Sequence, residues 1–139
     1  MSGNDFVKFF LLTPLHVFIG NTLLITVTGR KTGRKYSTPV SYYREGDCLW
    51  VMTSRDRSWW RNIRSGAKVS LLIHGKSING FAQVEREIPV EKRLIEYIRH
   101  MPTTAKAIGI RMEKDTPNVA DLSRVANNRL FVRIDATHP

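Results

Sequence analysis

The sequence has few of the residues on which metal sites and covalent catalysis depend. Cys48 is the single cysteine, so no internal disulfide can form, and the four histidines are scattered without paired ligand spacing. There is no Gly-x-Ser-x-Gly nucleophile elbow, no Walker loop and no Rossmann glycine fingerprint. We therefore predict no metal site, assign no catalytic residue, and interpret Cys48 as a half-buried strand residue. Any enzymatic chemistry must come from a bound cofactor.

The chain also lacks a clean membrane-spanning run and a secretory signal. The apolar stretch over residues 9–27 is interrupted by Pro14, His16, Gly20 and Asn21, short of the roughly 20 apolar residues that a spanning helix needs. The first five residues carry no positive charge, and no small-residue cleavage pattern follows them. We expect a cytoplasmic protein whose apolar first helix also permits peripheral contact with the inner face of the membrane.

Acidic residues are scarce relative to basic ones. The 139 residues include 22 Lys and Arg against 12 Asp and Glu, a formal net charge of +10. Such a charge concentrates anions at the surface, so nucleic acid, acidic lipid and a phosphorylated cofactor are all candidate partners. No recognition helix or RNP-like motif occurs, so we predict no nucleic-acid partner. The length fits one domain over residues 1–139.

The hydrophobic pattern predicts strands grouped into meanders with helices gathered around them. We place strands at 22–28, 37–43, 48–53, 69–73, 77–84 and 130–134, and extend the fifth strand to residue 88. Helices are predicted at 5–19, 59–64 and 91–100, with one or two short helices around 108–112 and 119–125. This order indicates an α+β fold: an antiparallel split β-barrel of about six strands with peripheral helices, the first helix covering a barrel mouth.

A basic loop lies between the first two strands. It runs from Gly29 to Lys35 and holds four cations: Arg30, Lys31, Arg34 and Lys35. Backbone N–H groups of a tight turn can form a concave anion nest, and basic side chains beside them suit a phosphate. The alternative is that these are solvated surface charges.

A second basic cluster surrounds two tryptophans. Its cations are Arg55, Arg57, Arg61 and Arg64, and the tryptophans are Trp59 and Trp60 at the start of a short helix that Ser58 can cap. An aromatic ring system with an acidic tail suits such a cluster, because the ring can stack on tryptophan while arginines meet the tail. The alternative is that one of the tryptophans is a core residue.

These motifs resemble those of a known family. The run LLITVTGRKTGRKYSTP, followed by YYREGDCLWVMTS and WWRNIR, resembles the deazaflavin (F420)-dependent nitroreductases, which are relatives of the pyridoxamine-phosphate-oxidase-like split-barrel FMN-binding proteins. The resemblance covers about residues 20–86. It implies that the cofactor is coenzyme F420, an 8-hydroxy-5-deazaflavin, with FMN as the alternative.

The resemblance also implies roles for particular residues. The phosphate end would be held by Arg30, Lys31, Thr32, Gly33 and Arg34, and the deazaflavin ring would lie along Ser37, Thr38, Pro39 and Val40. Ser54 and Arg55 would close the other side, while Trp59, Trp60 and Asn62 would hold the cofactor or its oligoglutamate tail. Lys35, Arg57 and Ser58, in the same segments, complete the candidate set.

The implied activity is that of an oxidoreductase. A reduced deazaflavin would pass hydride to a small acceptor, which is a quinone, a nitroaromatic or an activated alkene. The alternatives are an FMN-binding flavoprotein of the same fold and a non-enzymatic module that binds a cofactor or lipid. Tyr36 stands where many family members have a basic residue, and residues 101–128 lack the aromatics that shape the nitroimidazole pocket in one branch. A homodimer is expected.

Overall fold

A computed structural model of the protein describes residues 21–137, in which six strands form a closed barrel. The predicted helix over residues 5–19, and its covering of a barrel mouth, lie outside this range. The barrel strands are β1 Thr22–Thr28, β2 Lys35–Glu45, β3 Cys48–Ser54, β4 Ala67–Ile73, β5 Lys76–Val84 and β8 Arg129–Thr137. Their order around the barrel is β1-β2-β3-β8-β5-β4, and every neighbouring pair is antiparallel. The predicted fold is confirmed.

The barrel interior is an apolar core built by alternation along the strands. Leu23, Ile25 and Val27 of β1 are almost fully buried, because alternate side chains of a strand share one face. β1 and β2 are adjacent and antiparallel, as predicted, and Leu23 is paired with Val40. β3 pairs antiparallel with β2, and its Leu49 and Val51 also belong to the core.

A second apolar cluster lies on the outside of the barrel, under the helices. α1 spans Val90–His100, α2 Thr103–Ala107 and α3 Val119–Ala126. Leu94 and Tyr97 of α1 pack with Tyr43, Trp50 and Phe131 from β2, β3 and β8. Burial raises the pKa of Tyr97 to about 12, against a smaller lowering by its hydrogen bond to Ser41. Within residues 21–137, no helix is long and apolar enough to cross a membrane.

The segment between α1 and β8 differs from the prediction. Residues 108–112 do not form a helix, because Gly109 has a positive φ of 83° and ends α2 immediately before them. Two short strands follow, β6 Met112–Glu113 and β7 Thr116–Pro117, joined by a turn in which Lys114 has φ 59°. The predicted helix at 119–125 is present as α3, and the Asn118 side chain accepts a hydrogen bond from the Asp121 N–H at its start.

The fifth strand is shorter than its predicted extension to residue 88. β5 ends at Val84. The Oε1 atom of Glu85 accepts hydrogen bonds from the N–H groups of Glu87 and Ile88 at 2.9 and 3.1 Å, so these groups point back at a side chain. This local turn leads into Pro89, which precedes α1, and takes the chain out of the sheet.

Candidate functional site

The two basic segments of the sequence meet at one end of the barrel. β1 and β3 run in the same direction, so the loop after β1 and the segment after β3 leave the barrel at the same end. A 3-10 helix over Trp59–Ile63 follows β3 there, with Ser58 at its N-cap position but without a side-chain capping hydrogen bond. Residues 29–35 and 55–68 contain nine basic residues and one acidic residue.

The loop between β1 and β2, which we call the basic loop (residues 29–34), is a compact turn. The Gly29 N–H donates to the Arg34 carbonyl at 2.7 Å, and the Gly33 N–H donates to the Gly29 carbonyl at 2.9 Å. Gly33 has φ 71°, a conformation that glycine adopts without steric cost. The Thr32 hydroxyl accepts from the Arg34 N–H at 3.2 Å. Thr32 therefore has a structural partner inside the loop.

Two hydrogen bonds attach the basic loop to the 3-10 helix and the residues after it, and a third lies within the helix. The Arg30 N–H donates to Asn62 Oδ1 at 3.2 Å, and Arg30 Nη2 donates to Ser65 Oγ at 2.8 Å. Asn62 Nδ2 in turn donates to the Trp59 carbonyl at 3.3 Å. Segments about 30 residues apart in sequence are thus joined through one asparagine and one arginine.

A cavity of about 490 Å³ lies between the basic loop and the 3-10 helix. We call it the loop cavity; it is lined by Gly29, Arg30, Lys31, Thr32, Tyr36, Ser58, Trp59, Arg61 and Asn62. Three of these lining residues are cations and none is acidic. Its size falls within the range of about 300–1,000 Å³ that is usual for small-molecule sites. The cavity is therefore suited to an anionic group attached to a larger molecule.

Six of the candidate cofactor residues line the loop cavity, namely Arg30, Lys31, Thr32, Ser58, Trp59 and Asn62. Gly33 and Arg34 are exposed in the basic loop outside the cavity lining, and Ser54, Arg55, Arg57 and Trp60 lie nearby in sequence but also outside the lining. Three lining residues were absent from the candidate set: Gly29, Tyr36 and Arg61. Arg61 belongs to the second basic cluster, which was the signal available for it.

Lys35 faces a different cavity. This second cavity, of about 500 Å³, is lined by Thr26, Thr28, Lys35, Lys68, Val69, Ser70, Asn79, Gly80 and Phe81 on the β1, β4 and β5 side of the barrel. Lys35 begins β2, directly after the basic loop, so the four predicted loop cations do not all converge on one point.

The four candidate residues of β2 alternate between the two faces of the strand. Val40 is 7% exposed and belongs to the barrel core, and Thr38 has the same parity. Ser37 and Pro39 have the opposite parity and point out of the barrel, where the Ser37 hydroxyl lies 2.7 Å from that of Thr26. Only Ser37 and Pro39 can present side chains to a ligand on the outside of the barrel.

The two tryptophans have different environments. Trp59 is 7% exposed and packs in the barrel core, and its indole Nε1 donates to the buried Thr53 hydroxyl at 3.1 Å. Trp60 is half-buried, and the guanidinium carbons of Arg61 and Arg64 lie 5.6 and 5.3 Å from its ring centroid. The alternative interpretation, in which one tryptophan is a core residue, describes Trp59.

One group of possible metal ligands occurs among residues 21–137, away from the loop cavity. Ligating atoms of Glu45, Glu96 and His100 lie within 4.8 Å of one another. Each carboxylate already has a cationic partner: Glu45 lies 3.6 Å from Arg93, and Glu96 lies 2.7 Å from Arg99. These ion pairs account for the two carboxylates without a metal ion.

Comparisons with known proteins agree with the resemblance seen in the sequence. The F420H(2)-dependent quinone reductase family model matches residues 14–116. A solved structure of a candidate pyridoxamine 5'-phosphate oxidase from Listeria innocua is similar, with 13% identity, TM-score 0.58, and coverage of 99% of this chain and 95% of that one. No curated protein matches the chain.

Two further solved structures are similar in fold. The heme storage protein HutZ from Vibrio cholerae has 12% identity and TM-score 0.56, and the match covers 100% of this chain and 93% of that one. The general stress FMN/FAD binding protein from Xanthomonas citri has 19% identity and TM-score 0.56, with coverage of 86% and 78%. At these identities the structural matches support the fold alone.

Proposed function

Because the chain belongs to the F420H(2)-dependent quinone reductase family, we propose that it carries hydride from reduced coenzyme F420 to a small quinone-type acceptor. The family assignment makes the protein an oxidoreductase and supports F420 as its cofactor. The acceptor is the proposed part. Nitroaromatics and activated alkenes are further acceptors of the same hydride chemistry.

The loop cavity is the observation that carries this proposal. Arg30, Lys31 and Arg61 line it without any lining carboxylate, so their charges are available to an anionic ligand. Charge-assisted hydrogen bonds from such groups are roughly twice as strong as neutral ones. The donor set therefore fits the phosphate and acidic tail of a deazaflavin cofactor.

The protein's own residues would bind and orient the cofactor. Lys31 and Arg61 would hold its anionic groups at the barrel end, and the outward side chains of Ser37 and Pro39 would lie along its ring. When bound, the reduced deazaflavin supplies the hydride. This hydride and one proton together convert a quinone to the hydroquinone. The contribution of the protein is positioning and electrostatics, so we assign no catalytic residue.

Parallel titrations test the cofactor. We expect purified protein to bind F420 more tightly than FMN, because cations of the basic loop and of the 3-10 helix suit a phosphate followed by an acidic tail. Absorbance and fluorescence titrations give both affinities. Turnover of reduced F420 with menadione, a nitroaromatic and an activated alkene then ranks the acceptors. Equal or tighter binding of FMN would contradict the proposal.

A paired substitution tests the cavity. Lys31→Ala together with Arg61→Ala removes two charge-assisted partners, each contributing on the order of 1.5–3 kcal/mol, so F420 affinity should fall by well over tenfold. The melting temperature should hardly change, because exposed surface substitutions are usually within about 0.5 kcal/mol. The matched control is Lys76→Ala with Lys106→Ala, two exposed lysines that do not line the cavity. Equal affinity in the two double variants would contradict a cofactor role for the cavity.

The setting of the enzyme is a separate proposal. We place it in the cytoplasm as a homodimer, with peripheral contact at the inner membrane face, where apolar quinones are found. Sedimentation of the purified protein measures its oligomeric state, and flotation with anionic vesicles measures its contact with a membrane surface. A monomer that stays with the aqueous fraction would contradict both.

A further inference from the structure

The side chain of Asn62 is occupied at both ends by the protein itself. Its Oδ1 accepts from the Arg30 N–H at 3.2 Å, and its Nδ2 donates to the Trp59 carbonyl at 3.3 Å. A backbone N–H can only donate and a carbonyl can only accept, so these partners fix the orientation of the amide. With the amide turned over, a donor would face a donor and an acceptor would face an acceptor.

This arrangement connects the two halves of the loop cavity. Asn62 and Trp59 belong to the 3-10 helix, while Arg30 begins the cationic part of the basic loop. The Arg30 guanidinium adds a second attachment, because Nη2 donates to Ser65 Oγ at 2.8 Å. Arg30 is therefore held twice, through its backbone to the helix and through its side chain to the segment that follows the helix.

Lys31, the next residue, has a side chain that the described part of the protein does not hold in place. It lines the cavity, it is exposed, and within residues 21–137 its ammonium group has no ion pair or hydrogen bond. Arg61 lines the opposite wall, where its only described side-chain contact is with the Trp60 ring. Lys31 thus follows Arg30 in the sequence, and Arg61 precedes Asn62. These two cations, which have no charged partner among residues 21–137, flank the two residues that the hydrogen bond joins.

We propose that Asn62 is a positioning residue, which holds the basic loop so that Lys31 and Arg61 converge on the anionic ligand. The proposal rests on the proposed function and gives Asn62 a different role from the direct cofactor contact that the family resemblance implies. Preorganised donors bind more tightly because less conformational entropy is lost on binding. Asn62 thus acts on affinity through the loop.

Hydrogen exchange at the Arg30 amide tests the positioning without any ligand. Asn62→Ala removes the acceptor, so we expect this amide to exchange about tenfold faster. Asn62→Asp keeps an oxygen acceptor for the Arg30 N–H at neutral pH but loses the donor to the Trp59 carbonyl, so its exchange rate should lie between those of the wild type and Asn62→Ala. Asn127→Ala changes an exposed asparagine at the end of α3 and is the matched control. A wild-type exchange rate in Asn62→Ala overturns the proposal.

A double-mutant cycle with Lys31→Ala tests how Asn62 affects binding. We expect Asn62→Ala to weaken F420 binding on the order of tenfold in the wild type, and by less than about threefold when Lys31 is already alanine. If Asn62 contacted the cofactor directly, the two losses would be additive, and that outcome overturns the proposal. Melting temperatures confirm that each variant is folded.

The two experiments separate this inference from the proposed function. If the wild-type protein binds no F420, the proposed function fails, and the exchange rate at Arg30 decides the positioning role alone. If F420 binds and the Asn62→Ala variant keeps both its exchange rate and its affinity, the proposed function stands and the positioning role is wrong.

Discussion

At the scale of single residues, Trp59 shows how one side chain serves both the core and the site. Its ring packs inside the barrel while part of it lines the loop cavity. The buried hydrogen bond from its indole to the Thr53 hydroxyl fixes the ring at the end of β3. The 3-10 helix is therefore attached to the barrel through a core residue, and Asn62 extends that attachment to the basic loop.

Thr53→Val should destabilise the protein by about 1–3 kcal/mol. Valine has nearly the shape of threonine, but it leaves the buried indole N–H of Trp59 without its partner. Chemical denaturation measures the loss. Thr53→Ser keeps the hydroxyl and loses only the methyl group, so it is the control and should keep the hydrogen bond; if valine leaves the stability unchanged, the hydrogen bond to Trp59 does not contribute to it.

At the scale of elements, the turn from the 3-10 helix into β4 depends on Gly66. Its φ is 107°, and a Cβ atom there would lie 2.7 Å from Phe81 Cζ on β5. The positive φ strains the backbone of any residue with a side chain, and a Cβ here would also push against the ring of Phe81. Gly66 therefore sets the direction in which the chain turns from the 3-10 helix back into β4.

We expect Gly66→Ala to cost about 1–3 kcal/mol, from backbone strain at positive φ together with overpacking against Phe81. Adding Phe81→Leu should recover part of the loss, because the smaller side chain removes the steric contact and leaves only the strain. Thermal and denaturant unfolding of the single and double variants measure both terms. No recovery in the double variant would show that the contact with Phe81 is unimportant.

The start of α3 is held by a charged hydrogen-bond network around Asp121. Its carboxylate accepts from the N–H and Nε of Arg111 at 2.9 and 2.8 Å, and these bonds hold the pKa of Asp121 well below its usual value of 3.8. A depressed carboxyl pKa contributes stability that is present above the usual value and is lost as pH falls below it.

Asp121→Asn should therefore lower the free energy of unfolding at neutral pH, and the difference from wild type should shrink as pH falls below 3.8. Denaturation at several pH values for both proteins gives this difference directly. If the difference between the two proteins does not change between neutral pH and strong acid, ionisation of Asp121 does not contribute to stability.

The elements that the sequence predicted well are those with strong local signals. The barrel strands contain β-branched and other apolar residues, and they are bounded by turns such as the one at Gly46, which has φ 59°. α2 was missed because it is only five residues long and has no apolar periodicity. The helix predicted around residues 108–112 is absent: Ile108, Ile110 and Met112 are two residues apart, which is not a helical spacing, and Gly109 among them has a positive φ.

The candidate site was predictable only in part. Local composition identified the cations of the basic loop and the tryptophan cluster, and the family resemblance joined them. Pairing of Arg30 with Asn62 depends on the barrel order and on the path of the 3-10 helix, neither of which has a local signature. The direction of Lys35 and the burial of Val40 likewise follow from strand parity in the finished barrel.

At the scale of the whole molecule, charge is concentrated at one end of the barrel. The net charge is +10, and residues 29–35 and 55–68 at this end have nine basic residues against one acidic residue. Acidic side chains such as Glu45 and Asp135 lie at the opposite end of the strands. The field of such a distribution draws anions toward the end that holds the loop cavity.

This asymmetry predicts that the association rate of F420 depends steeply on salt. The screening length is about 10 Å at 0.1 M and about 3 Å at 1 M, so salt removes attraction at a distance before it affects contacts in the cavity. Between low and high salt we expect the association rate to fall by about tenfold or more, with a smaller change in the dissociation rate. Stopped-flow fluorescence measures both rates.

The two double variants used above show where the relevant charge lies. Each lowers the net charge by two, but only Lys31→Ala with Arg61→Ala removes charge from the barrel end. That variant should have a clearly shallower salt dependence, while Lys76→Ala with Lys106→Ala should follow the wild type. If both variants change the salt dependence equally, overall charge alone steers the cofactor. A rate independent of salt in the wild type would mean that steering is absent and that the cations of the loop cavity act only after contact.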